Sequence, residues 1–339
     1  MTPELELLLE SCKSEHTKKQ YAFCIRKYFD FLHSNNGKDN GKLGKLPKDG
    51  KEIENKIIEY IVTLKKEGMS YYGISNYIVP VKSFYAINDI PLNVKKLAKF
   101  MPENRRMRTD RAYTHEEISN ILEICDERMR VIILLLASTG IRVGAVPFLK
   151  LGNLQNTKLT VYENSSEQYF TFITPECKKA LDSYLDMRNR CGEKLTNDSF
   201  LIRQQFDVRC PGKPKQIEKA ALQYKIYDLC NRAGIDKKDV AVAHGFRRFF
   251  MTQLVNSKIN PEIREMLLGH KIGLAGCYYK PTEEEMFAEY EKATDLLTIN
   301  EENRLRKKVE TLEIEKSRID TIALKLQLLE KQFNKRKGR

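Results

Sequence analysis

The chain holds only five histidines, and two of them stand in short basic fragments, HGFRR (His244–Arg248) and LLGHK (Leu267–Lys271). The doublet Tyr278-Tyr279 follows downstream, and a third fragment, STGIRVGAV (Ser138–Val146), sets Arg142 just after a glycine. Imidazole donates or accepts a proton near neutral pH. Guanidinium forks suit anionic oxygens because they stay charged and offer several fixed donors. A tyrosine oxygen can serve as a nucleophile. Taken singly, each residue also has an ordinary structural reading. Arg142 would be a helix-start arginine, His270 a cap after Gly269, and the tyrosines core aromatics. His244 and Arg247 stand three apart, so a helix would place them on one face.

The elements that must position these residues are mostly helical. Tyr21, Ile25, Tyr28, Phe29 and Leu32 recur at helical spacing within residues 12–33. A stretch rich in Gly, Asn and Lys follows at Ser34–Gly50, and further helical patterns cover about Ile53–Glu67 and Tyr71–Asn88. MPENRRMRTDR (Met101–Arg111) reads as an exposed basic linker. Thr114 with Glu117 forms a capping-box pattern that predicts a helix start. An apolar helix is expected at about Arg128–Ser138. KLTVYENSSEQYFTFIT (Lys158–Thr174) alternates around a polar turn at Asn164–Gln168 and predicts a β-hairpin. The tail repeats Leu305, Leu312, Ile319, Leu326 and Phe333 every seven residues, a spacing that suits a coiled-coil seam. Its companion positions are uneven, with Val309 and Ala323 suitable and Lys316 and Glu330 not.

The expected fold is therefore mainly α with a small antiparallel β-sheet. A helical domain would occupy residues 1–100, a basic linker 101–111 and the domain bearing the histidines 112–298. A basic amphipathic helix, able to form a coiled coil, would fill 299–339.

Composition narrows the function. The net charge is +13, and it is unevenly spread. Residues 1–110 carry 20 Lys and Arg against 14 Asp and Glu, residues 304–339 carry 12 against 5, and the middle is balanced. Basic flanks of this kind suit a polyanion such as double-stranded DNA. The longest apolar run, VIILLLA (Val131–Ala137), is too short to span a membrane, and the acidic start MTPELELLLE does not suit a secretory signal. Eight scattered cysteines without a CxxC pair fit reduced thiols in a cytoplasmic protein, and no residue cluster calls for a metal or other cofactor.

In order and spacing, the three fragments together resemble the tyrosine recombinase (phage integrase) family. The likeness is nearest to its archaeal-type integrases, through the run after the tyrosines. It covers about residues 112–298 well and 12–100 more loosely. The resemblance implies a two-domain fold, a helical DNA-binding domain followed by a mixed catalytic domain. It implies site-specific strand exchange through a 3′-phosphotyrosine, carried out by a homo-oligomer, a tetramer on two DNA sites, within the cytoplasm and its nucleoid. Arg142 and Arg247 would clamp the scissile phosphate, His244 would assist proton transfer and His270 would bond the phosphate. Tyr279, nine residues beyond His270, would attack, with Tyr278 as the alternative nucleophile and otherwise a core residue. A type IB topoisomerase-like enzyme, or a DNA-binding architectural or regulatory protein with a decayed site, shares part of this pattern. The pattern departs from the family at two places. Ala145 stands where an acidic residue is usual, and the hairpin turn ENSSEQ lacks the usual lysine. Lys158, at the start of the first strand, is the candidate in its place, and Lys271 beside His270 is another nearby basic group.

Overall fold

The computed structural model describes residues 3–35, 49–105, 110–204, 209, 214–236, 238–273 and 275–337. The chain forms two compact units, Met1–Met107 and Arg108–Arg339. No helix among the described residues is long and apolar enough to cross a membrane.

The first unit is all helical: α1 (Pro3–Ser11), α2 (Glu15–Asn35), α3 (Gly50–Lys66), α4 (Tyr71–Ile87) and α5 (Val94–Ala98). Ile53, Ile57 and Ile61 recur every four residues along α3 and are fully buried against Ile25 and Tyr28 of α2 and Ile74, Val81 and Tyr85 of α4. Ser70 and Asn93 begin α4 and α5 by accepting the backbone N–H groups of Gly73 and Lys96. The opposite face of α2 stays outside, with Lys19, Phe23, Arg26 and Lys27 exposed at helical spacing. Lys18 differs from its neighbours, because Glu10 and Glu15 pair with it at 3.8 and 3.5 Å. Most of the stretch Ser34–Gly50, and Arg106 and Arg108 of the basic segment, lie outside the described residues.

The second unit is built around α7 (Glu127–Thr139), which is buried on nearly every side. Before it runs α6 (His115–Ile124), started by the reciprocal capping bonds of Thr114 and Glu117. A three-stranded antiparallel sheet follows: β1 (Leu154–Gln155), β2 (Lys158–Val161) and β3 (Tyr169–Phe172), in sequential order. The hairpin pairs Lys158 with Phe172 and Val161 with Tyr169. The two-residue β1 was not foreseen, since it is too short to show alternation. Next come α8 (Pro175–Arg190), α9 (Lys219–Arg232) and α10 (His244–Asn256), then the short α11 (Pro261–Leu267) and α12 (Ala275–Tyr278). α13 (Glu283–Glu291), α14 (Thr294–Leu297) and α15 (Glu301–Lys337) complete the chain. Phe246, Phe249 and Phe250 of α10 pack into the core around α7 with Leu267 and Leu268 at the end of α11. A fully buried Arg188 is held by both oxygens of Glu193, which also pairs with Arg203 at 2.8 Å, and this cluster ties α8 to the following loop.

α15 is one helix, and Leu305, Val309, Leu312, Ile319, Ile322 and Leu326 are all exposed along it. Ile322 and Ala323 are both exposed beside Ile319.

Candidate active site

The site begins where α7 ends. Gly140 takes the left-handed conformation (φ 61°) and its N–H bonds the Leu136 carbonyl at 3.0 Å. A Cβ at this position would lie 2.4 Å from the Phe250 ring, so close packing as well as backbone angle requires glycine. The turn sends the chain outward, and Arg142 is exposed immediately after it.

Arg247 enters from the first turn of α10 and is 5% exposed. It donates to the Gly140 carbonyl at 2.7 Å, to the Leu268 carbonyl at 2.6 Å and to His270 Nε2 at 2.7 Å. Both carbonyls belong to helix C-termini, where backbone dipoles present partial negative charge. The guanidinium is thus held by neutral groups alone, and among the described residues no carboxylate pairs with it or with Arg142. Burial, and then the charge of Arg142, lowers its pKa. Two guanidinium groups brought together without a counter-charge form a site that a doubly bonded anion would relieve.

His270 stands just past the end of α11. The Gly269 N–H bonds the Met266 carbonyl and the His270 N–H bonds the Glu265 carbonyl, both at 2.9 Å. This pair of bonds is the Schellman ending, with Gly269 at φ 68° supplying the left-handed residue. A Cβ on Gly269 would lie 2.4 Å from the ring of Tyr169 on β3. The ending therefore seats the strand against α11 and aims His270 at Arg247 together. The His270 Nδ1 side bonds the Glu265 carboxylate.

His244 is exposed at the start of α10, and its pKa is lowered by partial burial of the ring and by the charges of Arg248 and Arg247. Arg248 itself is turned away, bonded to the carbonyl and carboxylate of Asp110. The three-residue interval from His244 singles out Arg247 of the two adjacent arginines; the structure buries Arg247 toward α7 and pairs Arg248 with Asp110.

A cavity of about 810 Å³ opens beside these groups, lined by Lys158, Tyr169, His270, Lys271 and Tyr279 among others. Lys158 lies inside this cavity despite its early place in the hairpin. Its Nζ pairs with Glu283 at 2.5 Å and sits 5.1 Å from the Phe170 ring centroid. Lys271 is more open, 83% exposed and 3.3 Å from Glu167 of the hairpin turn. Tyr279 faces the cavity and packs partly against the core. Burial and the nearby Glu285, Glu289 and Glu262 raise its pKa, which disfavours the phenolate. Tyr278 does not pack into the core as expected, being 89% exposed. α12 spans only four residues, so no helical periodicity in the sequence indicates which of the two tyrosines turns inward.

Two residues at this site were missed in the sequence. The Tyr169 hydroxyl is buried beside Arg247 without a well-aligned hydrogen bond of its own. Glu265 holds the far side of His270. Ala145, where the family pattern has an acidic residue, is 1% exposed in the core around α7, a place that would bury a carboxylate.

The family model for the phage integrase family matches residues 111–285, a segment containing nearly every group just described. The chain belongs to the phage integrase family. It is a tyrosine-type, site-specific recombinase. It is similar to tyrosine recombinase XerC of Leptospira interrogans serogroup Icterohaemorrhagiae serovar copenhageni (strain Fiocruz L1-130), with 24% identity over 85% of this chain and 90% of that protein. Tyrosine recombinase XerA of Pyrococcus furiosus (strain ATCC 43587 / DSM 3638 / JCM 8422 / Vc1) is 22% identical over 83% and 89%. The likeness thus extends to XerC as well as XerA proteins and does not single out an archaeal-type branch. Among solved structures, the recombinase shares its fold with a lambda integrase dimer bound to a core site (TM-score 0.57, 16% identity, 82% of this chain and 96% of that one). The Tn1549 transposon integrase, in complex with circular intermediate DNA, gives TM-score 0.57 and 20% identity over 85% and 99%.

Proposed function

We propose that the recombinase cuts and rejoins double-stranded DNA at specific sites through Tyr279. The observation that carries this reading is Arg247, buried with only neutral partners next to Arg142 and His270. Such a pocket suits the extra negative charge that a phosphodiester gains on its equatorial oxygens under attack. The Tyr279 oxygen bonds to phosphorus while the bond from phosphorus to the 5′ oxygen breaks, leaving a 3′-phosphotyrosine. His244 takes the phenol proton. Its lowered pKa favours the neutral, accepting ring in the free protein. Lys158 gives a proton to the departing 5′ oxygen, after DNA draws it from Glu283. Rejoining reverses each transfer and needs no external energy. The acidic surroundings of Tyr279 argue that the free protein holds its nucleophile back, and that the segment before α13 moves when DNA binds.

The exposed face of α2, with Lys19, Arg26 and Lys27, supplies phosphate contacts that add salt-sensitive affinity without reading sequence. Two solved structures of lambda integrase, a dimer on a core site and a tetramer on a Holliday junction, support a homo-oligomer, a tetramer on paired sites. The place of work is the cytoplasm, on the nucleoid. The exposed apolar stripe of α15 supports pairing between copies, and its Lys and Arg excess supports DNA contact as the second reading of the tail.

Trapping on a nicked duplex carrying its site tests the proposal. Tyr279→Phe binds DNA and forms no covalent adduct, whereas Tyr278→Phe forms it at the wild-type level. DNA mapped to Tyr278 would move the nucleophile by one residue, and adduct formation by both variants would remove the tyrosine mechanism.

A further inference from the structure

We infer that Glu265 is the positioning residue for His270, fixing which imidazole nitrogen carries the proton and holding Nε2 toward Arg247. The inference rests on the proposed role of His270 beside the phosphate. Its geometry comes from the helix ending. In a Schellman ending, the residue two past the cap is folded back onto the residue three inside it. Here those two are His270 and Glu265, joined by the 2.9 Å backbone bond from His270 N–H to Glu265 C=O. Such positions commonly meet through an apolar contact. In this chain they meet through a carboxylate and an imidazole.

The bonding pattern on the other side of the ring selects the tautomer. A guanidinium only donates, so the 2.7 Å bond from Arg247 makes His270 Nε2 the acceptor. The ring proton is then on Nδ1, where it donates to Glu265. Without that carboxylate, Nδ1–H has no other acceptor among the described residues. The alternative tautomer would set an N–H against the N–H of Arg247, and the ring would have to turn away. With Glu265 present, the neutral ring keeps its Nε2 lone pair on Arg247 and so steadies that guanidinium beside the place proposed for the phosphate.

The test uses the full chain labelled with 15N-histidine. Long-range 1H–15N spectra at alkaline pH distinguish the two neutral tautomers, and loss of one signal set in His270→Asn assigns the ring. The wild type shows the Nδ1–H form. Glu265→Leu, which restores the apolar contact usual at such helix ends and so protects the fold, populates the Nε2–H form. Glu265→Gln, whose amide oxygen still accepts, keeps Nδ1–H. On a nicked duplex bearing a site selected by binding, Glu265→Leu slows adduct formation about 10–100-fold, the range seen when carboxylates that orient metal-bound histidines are removed. Glu265→Gln recovers most of that rate, and both variants bind DNA normally. Retention of the Nδ1–H form in Glu265→Leu overturns the inference. A changed tautomer with wild-type adduct formation upholds the Glu265 contact and instead removes His270 from the chemistry.

Discussion

Gly269 is the position where backbone, strand packing and the active site meet, and replacing it by alanine has calculable consequences. The left-handed conformation at φ 68° costs an L-residue roughly 1–2 kcal/mol. The new Cβ would also lie 2.4 Å from one Tyr169 ring carbon and 2.5 Å from the next, so the ring or α11 must shift. Overpacking of this sort costs about 1–3 kcal/mol more. Gly273 is a built-in control, because it has φ 53° and a Cβ added there would meet nothing within 4 Å. Gly273→Ala should therefore lose only the conformational part. For a unit of this size, 1 kcal/mol corresponds to about 2–4 °C in Tm. Thermal unfolding should fall by about 4–20 °C for Gly269→Ala and by about 2–8 °C for Gly273→Ala. Adduct formation should fall further in the first variant, because Leu268 and His270 on either side both bond Arg247. In a Tyr169→Ala background, itself less stable, Gly269→Ala should cost about 1–3 kcal/mol less than in the wild type, because the clash is gone. Equal Tm losses in the two glycine variants, with the same Gly269→Ala cost in both backgrounds, would refute the packing argument.

Arg142→Lys and Arg247→Lys should each keep most DNA affinity while slowing cleavage about 10²–10³-fold, since a lysine keeps the charge and loses the fork; equal losses of affinity and rate would restrict these arginines to binding. Removing residues 304–339 should make DNA affinity less salt-dependent, by about 0.9 in log–log slope for each lost phosphate contact, and Leu312→Glu with Leu326→Glu should lower the sedimenting mass if α15 pairs copies. Burial holds the pKa of both His115 and His244 below the usual 6.5, so the unfolded chain takes up protons first as pH falls through that value. Stability measured by denaturant should accordingly drop between about pH 7 and 5, and His244→Asn should flatten the drop; a flat wild-type profile would contradict the burial of these rings.

Much of the site was legible because its chemistry needs particular residue types at particular spacings. Arg142, Arg247 and His270 announce themselves through glycine turns and a helical interval of three. The hairpin was visible in its alternation, and the start of α6 in Thr114 and its capping partner Glu117. Glu265 was hidden because its relation to His270 exists only once a helix end is located. The run LLGH, with glycine after a helical pattern, contained the needed signal: it marks the residue four before Gly269 as the one folded back onto His270. Tyr169 was hidden because strand pairing, which no local pattern specifies, sets its ring against Gly269. The two tyrosines were ambiguous because four helical residues show no period.

Arg247 takes its bonds from the end of α7 and the end of α11, segments that lie far apart along the chain on either side of it. A chain only partly synthesised, or one unfolded around either helix end, leaves this arginine without its cradle and the nucleophile without a target. On the role proposed for Arg247, DNA breakage would be restricted to molecules in which both helix ends have folded around it. The same arrangement offers a way to control the enzyme: two inactive fragments divided between α7 and α10 would regain cutting only where they are brought together.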